Sequence, residues 1–375
     1  MKILFVSLEF LPLVGGISSA GQSMVQAIAA LGHELCLLLP RECAKGNPQA
    51  FCWLERPCGT FQHRRAHRRN AKSLLRVLEE TRPDLVLFSD ASARLVRYLD
   101  PRTLPPYLLY LYGTELVSPR PLASWLSGRD AAMKCAISYA HKVVCVSRYA
   151  RQLLEAFLPG QESQIIYLPY EIAKTSPLPA LRPSPYQGPG PHILSVCRLV
   201  ARKNIAGSLR VVARMREEVP GLQFHIVGAG PERSALEALV SENDWESWVH
   251  FHGRIPLEDL GNYYGHADLF IMCSLPDDDG VEGLGLTYIE ASVSGCLPVG
   301  SRHGGVAEVI QDGVTGLSID PEKIEAAAQH ILPYLKNAAL RQDLQVRAAK
   351  IHREAFGFAA FQEAFGKALE AAAKG

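Results

Sequence analysis

Short apolar runs alternate with longer amphipathic ones along the first half of the chain. Residues 3–8, 34–39 and 85–89 read as buried strands, whereas residues 18–31 and a basic stretch before residue 85 carry helical periodicity. This rhythm predicts parallel strands joined by helices. Gly15-Gly16 opens the first helix, and Gly32 falls where a helix end favours a left-handed residue. Residues 106–112 and 142–146 supply further strands, the second running into a helix for which Ser147 is the expected N-cap.

The rhythm stops between residues 174 and 191, where prolines recur at 177, 179, 183, 185, 189 and 191 without hydrophobic periodicity. Such a stretch predicts a linker. Beyond it, strands at 192–196, 223–227, 249–252 and 269–273 alternate with helices at 205–219, 232–243 and 257–267. The expected layout is a Rossmann-like domain over 1–173, a linker over 174–191 and a second Rossmann-like domain over 192–355. Two doubly wound α/β domains bind ligands outside the carboxyl ends of their strands, so the active site is expected in a cleft that both domains share.

Composition narrows the picture. A chain of 375 residues suits two cores better than one. With 48% hydrophobic and 21% charged residues and a net charge of +1, it has neither the composition of a disordered chain nor the basic excess of a bulk nucleic-acid binder. Nine cysteines without a C-x-x-C pair read as reduced, buried thiols of a cytoplasmic protein. Glu9 interrupts the first apolar run, which therefore reads as a strand rather than a signal peptide. No apolar run approaches the ~20 residues needed to cross a bilayer, so any membrane contact is expected to be peripheral.

The candidate chemistry gathers in the second domain. An acidic loop, Asp277–Asp279, precedes Glu282-Gly-Leu-Gly-Leu-Thr-Tyr-Ile-Glu290, which reads as a glycine turn entering a helix. Gly283 and Gly285 allow the amides of Leu284, Gly285, Leu286 and Thr287 to converge on an anion at the helix N-terminus, a place suited to a pyrophosphate. Glu282 and Glu290 flank that turn, one available to ribose hydroxyls and the other to a sugar. Taken alone, the stretch also has a plainer and less favoured reading, an acidic loop before a helix with an incidental glutamate. Arg198 and Lys203 follow the first strand of this domain, where two cations stabilise the charge of a departing nucleoside diphosphate without a metal; a solvated basic loop has the same appearance. Gly15 and Gly16 offer amides to the same phosphates or simply form a tight turn. Gly228-Ala-Gly-Pro231 lacks the third glycine of a dinucleotide fingerprint and reads as a turn.

In order and spacing these pieces resemble the retaining glycosyltransferases of family 4, with their two-Rossmann GT-B fold. The match extends to Leu31-Gly-His-Glu34, Phe251-His-Gly253, Ala267-Asp268, Gly295-Cys-Leu-Pro-Val299 and Gly304-Gly305 with Glu308. The wording of residues 280–291 is closest to bacterial GDP-mannose-dependent mannosyltransferases.

The resemblance implies a nucleotide-sugar donor as co-substrate, no metal or other cofactor, and a lipid, glycan or small-molecule acceptor. It gives the diphosphate to Arg198 and Lys203, the transferred hexose to Glu282, the ribose to Glu290 and the base to the backbone around Ile255. Residues 356–375 resemble the terminal helix that packs back on the first domain. Asp277–Asp279 is then not a metal-binding D-x-D.

One departure matters. Tyr112, in Tyr112-Gly-Thr-Glu115, stands where such enzymes carry a histidine that contacts the transferred sugar; its hydroxyl offers a hydrogen bond instead. Asn204 replaces a glycine after Lys203. The competing reading is a catalytically silent GT-B homologue that partners an active transferase, favoured only by Tyr112. Another GT-B enzyme, an epimerase or a phosphorylase, lacks the Glu282–Glu290 arrangement. The basic stretch His63–Arg76 reads as a solvated helix face or as a contact for anionic lipid or an acidic acceptor.

Overall fold

The computed structural model describes residues 1–12, 15–44, 50–54, 62–117, 128–170, 184–188, 190–276, 280 and 282–374, with the side chains of 50–54 and 62–65 excepted. Most of the 174–191 stretch, and Asp277–Asp279, therefore lie outside the described residues. Two compact units make up the chain, Met1–Pro169 with Phe358–Gly375 as the first and Tyr170–Gly357 as the second.

The first unit is built on a parallel sheet of β1 (Lys2–Val6), β2 (Glu34–Pro40), β3 (Ala50–Leu54), β4 (Leu85–Phe88), β5 (Tyr107–Leu111), β6 (Lys142–Cys145) and β7 (Gln164–Ile165), in the order β3-β2-β1-β4-β5-β6-β7. Ile3, Leu4, Phe5 and Val6 are all fully buried, which is why β1 reads as a continuous apolar run rather than an alternating one: helices cover both faces of such a sheet. The Gly16–Ala30 helix ends at Gly32, which is left-handed at φ 74°, and Ser147 caps the Arg148–Phe157 helix by accepting from the amide of Ala150 at 2.9 Å.

The final helix, Phe358–Ala373, packs on this first unit. Its Phe361, Phe365 and Leu369 are buried, Phe365 lies edge-on to Tyr110 of β5, and Gly366 faces Leu31 beside the first helix.

The second unit repeats the plan with β8 (His192–Val196), β9 (Gln223–Val227), β10 (Val249–Gly253), β11 (Leu269–Met272), β12 (Leu297–Ser301) and β13 (Leu317–Ile319), in the order β10-β9-β8-β11-β12-β13. Both sheets are thus wound the same way. Strand order reverses between β1 and β4 in one unit and between β8 and β11 in the other, and these reversals are where doubly wound sheets bind ligands.

Elements outside the sequence reading are β3, the 3-10 segment Ala91–Tyr98 and the Arg129–Ser138 helix in the first unit, and β12, β13 and the Ile324–Lys336 and Ala338–Ala355 helices in the second. The helix expected over 205–219 stops at Arg216. Pro220 follows closely, and a proline pushes the residue before it out of helical geometry.

Candidate active site

In the second unit the functional side chains come from the two loops that leave β8 and β11 at the switch point. Hydrogen bonds sew these loops together. The Leu275 amide donates to the carbonyl of Arg202 at 2.8 Å, the Asn204 side chain donates to the carbonyl of Cys273 at 3.1 Å, and the Cys273 amide donates to the Ser208 hydroxyl at 3.1 Å. Asn204 has left-handed geometry (φ 46°, ψ 50°), and its side chain also accepts from the Gly207 amide at 3.0 Å, capping the Ile205–Arg216 helix. The replacement of a glycine here is explained: asparagine tolerates this backbone and adds a cap that glycine lacks.

Glu282 ends this linked region. Its Oε2 accepts from Lys203 Nζ at 2.5 Å and from Arg202 Nη1 at 3.1 Å. Lys203 is buried and Glu282 nearly so, with side chains 9% and 16% exposed. Burial pushes the Glu282 carboxyl up, but Lys203 and Arg202 outweigh that effect and hold it below its ordinary value, so it is ionised near neutrality. The sequence reading set Arg198 beside Lys203. In the structure Lys203 and Arg202 both bind Glu282, while the Arg198 side chain is exposed, with no partner among the described residues. Arg202 was missed although it adjoins Lys203; the available signal was three cations within one short loop.

Beyond Glu282 the chain turns through Gly283 and Leu284 to Gly285, which is left-handed at φ 92° and opens the Leu286–Val293 helix. Gly283 has no positive φ, contrary to the idea that both glycines serve backbone freedom. The close approach comes from Gly305. Its amide donates to the Glu282 carbonyl at 2.8 Å, and a Cβ placed on it would lie 2.1 Å from the carbonyl oxygen of Gly283. The helix N-terminus carries no side-chain cap, and the Thr287 hydroxyl is buried without a partner. Glu290 sits one turn in, where the Tyr264 hydroxyl donates to its Oε2 at 3.2 Å.

Gly228-Ala-Gly230 is more than a turn. The Leu199 amide donates to the Ala229 carbonyl at 3.0 Å, so this segment buttresses the loop that carries Arg198. Ile255 lies half-buried in the loop that follows β10. Cys197 and Cys273, both near the site, are pushed by burial up to about 12 and do not supply thiolate nucleophiles near neutrality.

In the first unit, Gly15 is extended at φ 170°, and an added Cβ on Gly15 or Gly16 meets nothing within 4 Å. Neither glycine is required by a tight turn. Asp90, at the end of β4, accepts from the Ser7 hydroxyl at 2.8 Å and from the amides of Leu8, Glu9 and Ser92 at 2.6, 3.1 and 2.7 Å, fixing the segment that follows β1. Tyr112, 6% exposed, follows β5 and its hydroxyl is buried without a partner. Along the Gln62–Thr81 helix, Asn70, Ala71, Leu74 and Val77 are buried while Arg68, Arg69, Lys72 and Arg76 are exposed.

Two parallel sheets of one winding, with a cation-bound carboxylate and a free helix N-terminus at a switch point, define a double-Rossmann protein of the GT-B class. Solved structures share this fold along the chain. Sucrose-phosphate synthase from Thermosynechococcus elongatus superposes with a TM-score of 0.79 at 19% identity, covering 98% of this chain and 97% of that one. HepE from Anabaena, in complex with UDP and glucose, does so with a TM-score of 0.76 at 16% identity, covering 99% of each.

Residues 182–351 match the family described as Glycosyl transferases group 1, and residues 15–171 that described as Glycosyl transferase 4-like domain; the chain belongs to these glycosyltransferases. It is 32% identical over 194 residues to the GDP-mannose-dependent alpha-(1-6)-phosphatidylinositol monomannoside mannosyltransferase of Mycolicibacterium smegmatis, covering 50% of this chain and 51% of that protein. The chain thus spans about half the length of the curated relatives it matches. Among the described residues, no helix is long and apolar enough to cross a membrane.

Proposed function

We propose that the protein is a retaining glycosyltransferase that moves a hexose (mannose, glucose or N-acetylhexosamine) from a nucleoside-diphosphate sugar to a glycan, lipid or small-molecule acceptor, with GDP-mannose the first donor to test. The observation that carries this reading is the Glu282 carboxylate held by Lys203 and Arg202 directly ahead of the uncapped Leu286–Val293 helix. The amides of Leu284, Gly285, Leu286 and Thr287, with the positive end of the helix dipole, receive the diphosphate. Arg198, exposed in the loop after β8, joins Lys203 in stabilising the charge that gathers on the leaving phosphate as the glycosidic bond breaks.

In this reading Glu282, ionised and directed by its two cations, accepts hydrogen bonds from hydroxyls of the transferred sugar. Glu290, oriented by Tyr264, accepts from the ribose. The backbone around Ile255 takes the base, Gly15 and Gly16 leave room for a phosphate at the first helix, and Tyr112 donates to a sugar hydroxyl. Cations and amides do the work that a metal does in other transferases. Retention follows from front-face attack, in which the acceptor hydroxyl passes its proton to the departing phosphate oxygen while the new glycosidic bond forms on the face the phosphate leaves.

A panel of GDP-, UDP- and ADP-sugars tests the proposal through thermal stabilisation and slow donor hydrolysis. One donor is expected to raise the melting temperature. Glu282→Ala and Arg198→Ala are each expected to lower hydrolysis by about 100-fold or more. Stabilisation by no donor, or hydrolysis indifferent to both substitutions, refutes the reading.

A further inference from the structure

A second buried carboxylate, in the first unit, has no part in the donor chemistry above. Glu115 is 5% exposed, and its Oε2 accepts from the amides of Tyr112 at 3.1 Å and Gly113 at 3.0 Å. Its other oxygen, Oε1, is buried without a partner. The sheet's own pairing does not demand this arrangement, because the ladder ends where the Val146 amide donates to Leu111, one residue before Tyr112. From there the chain turns with Gly113 left-handed at φ 102°, closed by the Leu116 amide donating to the Gly113 carbonyl at 3.0 Å and by the Glu115 side chain.

The surroundings are polar and buried. Arg94, from the 3-10 segment, is 4% exposed; its Nη2 donates to the Glu115 backbone carbonyl at 3.1 Å and its Nε has no partner. Asp90 at the end of β4, Cys145 at the end of β6 and Tyr112 itself face the carboxyl, and Arg129 and Asp130 of the Arg129–Ser138 helix face Arg94. Keeping an acid here with one oxygen unsatisfied is costly, which a turn of no consequence does not require.

We propose that Glu115 is the positioning residue of Tyr112: its carboxylate clamps the Tyr112–Gly113 turn, fixing where the tyrosine hydroxyl stands, and it acts on sugar handling only through that turn. The proposal rests on the role given to Tyr112 above. Burial pushes the Glu115 carboxyl up to about 7, with Asp90 adding to the rise and the turn amides and Arg94 opposing it. The clamp is therefore sensitive to pH. Above about 7 the carboxylate is ionised and its two amide bonds are charge-assisted; below it the acid is neutral and they weaken.

The test compares wild type with Glu115→Gln and Glu115→Ala. Glutamine keeps an oxygen for both amides but does not titrate. In wild type, kcat for donor hydrolysis or transfer is expected to fall about threefold to tenfold between pH about 8 and 6, with KM for the donor little changed. That acid limb is expected to be missing in Glu115→Gln, whereas Glu115→Ala is slower at every pH. A limb of the same size in wild type and Glu115→Gln overturns the proposal.

The Tyr112 amide gives a readout independent of turnover. Observed in 15N-tyrosine-labelled protein and assigned by its loss in Tyr112→Phe, it is expected to titrate near 7 in wild type and to be flat in Glu115→Gln. Should wild type turn over no nucleotide sugar, the functional reading fails, yet this amide still decides whether Glu115 clamps the turn. An amide that does not titrate in wild type overturns the clamp.

Discussion

At the scale of single residues, the Glu282 cluster shows how a buried charge is kept. One carboxylate faces a buried ammonium and a half-exposed guanidinium, so each partner has a separable cost of removal. Lys203→Met is expected to lower the unfolding free energy of the second unit by about 1–3 kcal/mol, short of the cost of stranding a buried ion because Arg202 still faces the carboxylate. It is also expected to raise the Glu282 pKa toward its ordinary value. Urea titrations near neutral pH read the first effect, and the shift of the donor-binding pH profile reads the second. Adding Glu282→Gln to Lys203→Met is expected to recover part of the loss, since the uncompensated charge then disappears. The residue types at this site were legible in the sequence, but the pairing was not. Arg198, Arg202 and Lys203 occupy one loop, and only the turn at Asn204 and the bonds to the loop after β11 decide which of them meets Glu282. Glu115 was likewise visible as a residue and hidden as a function, because its partners Arg94 and Asp90 are contributed by other parts of the first unit.

At the scale of elements, the site is a backbone construction with few side chains in it. Gly305 lies so close to Gly283 that any side chain must drive the two segments apart. Gly305→Ala is therefore expected to displace Glu282 and weaken donor binding by about tenfold or more, read by calorimetry, while the far strands β9 and β10 keep their hydrogen-exchange protection. Gly285→Ala meets a different obstacle, a left-handed backbone, and is expected to cost about 1–2 kcal/mol in stability. The alternation of elements was readable in both units because strands buried on two faces leave continuous apolar runs, and the helices between them are amphipathic. What escaped includes short or irregular pieces in the first unit and, in the second, β12, β13 and the Ile324–Lys336 and Ala338–Ala355 helices, which were read only as part of the span of that domain. β3 is a five-residue strand at the sheet edge, and the 3-10 segment Ala91–Tyr98 has no helical period of 3.6 to detect.

At the scale of the molecule, the two units meet acid differently. Four histidines line one region of the second sheet. His192 Nδ1 lies 3.1 Å from His225 Nε2, His225 Nδ1 lies 3.0 Å from His252 Nε2, and His250 and Tyr186 stack on His225 at 4.9 and 4.1 Å. Burial, with His250, His252 and His192 nearby, lowers His225 to about 2, and burial lowers the other three as well. The unfolded chain therefore takes up these protons first, near pH 6.5. Stability is intact above that value and falls below it, by up to about 1.4 kcal/mol per pH unit for the buried His225 and by less for its partly exposed neighbours. The urea midpoint of the second unit, followed by Trp245 and Trp248 fluorescence, is expected to drop between pH about 6.5 and 5, and His225→Phe is expected to flatten that slope. An unchanged slope in the variant would exclude the histidine stack as its source. The chain also divides unevenly in time. Because the Phe358–Ala373 helix belongs to the first unit, a growing polypeptide leaves the ribosome with every strand of the second unit made before the first unit has received its last helix. The sheet face that this helix covers, around Tyr110 of β5, is therefore closed only after the strands of the second unit have been made.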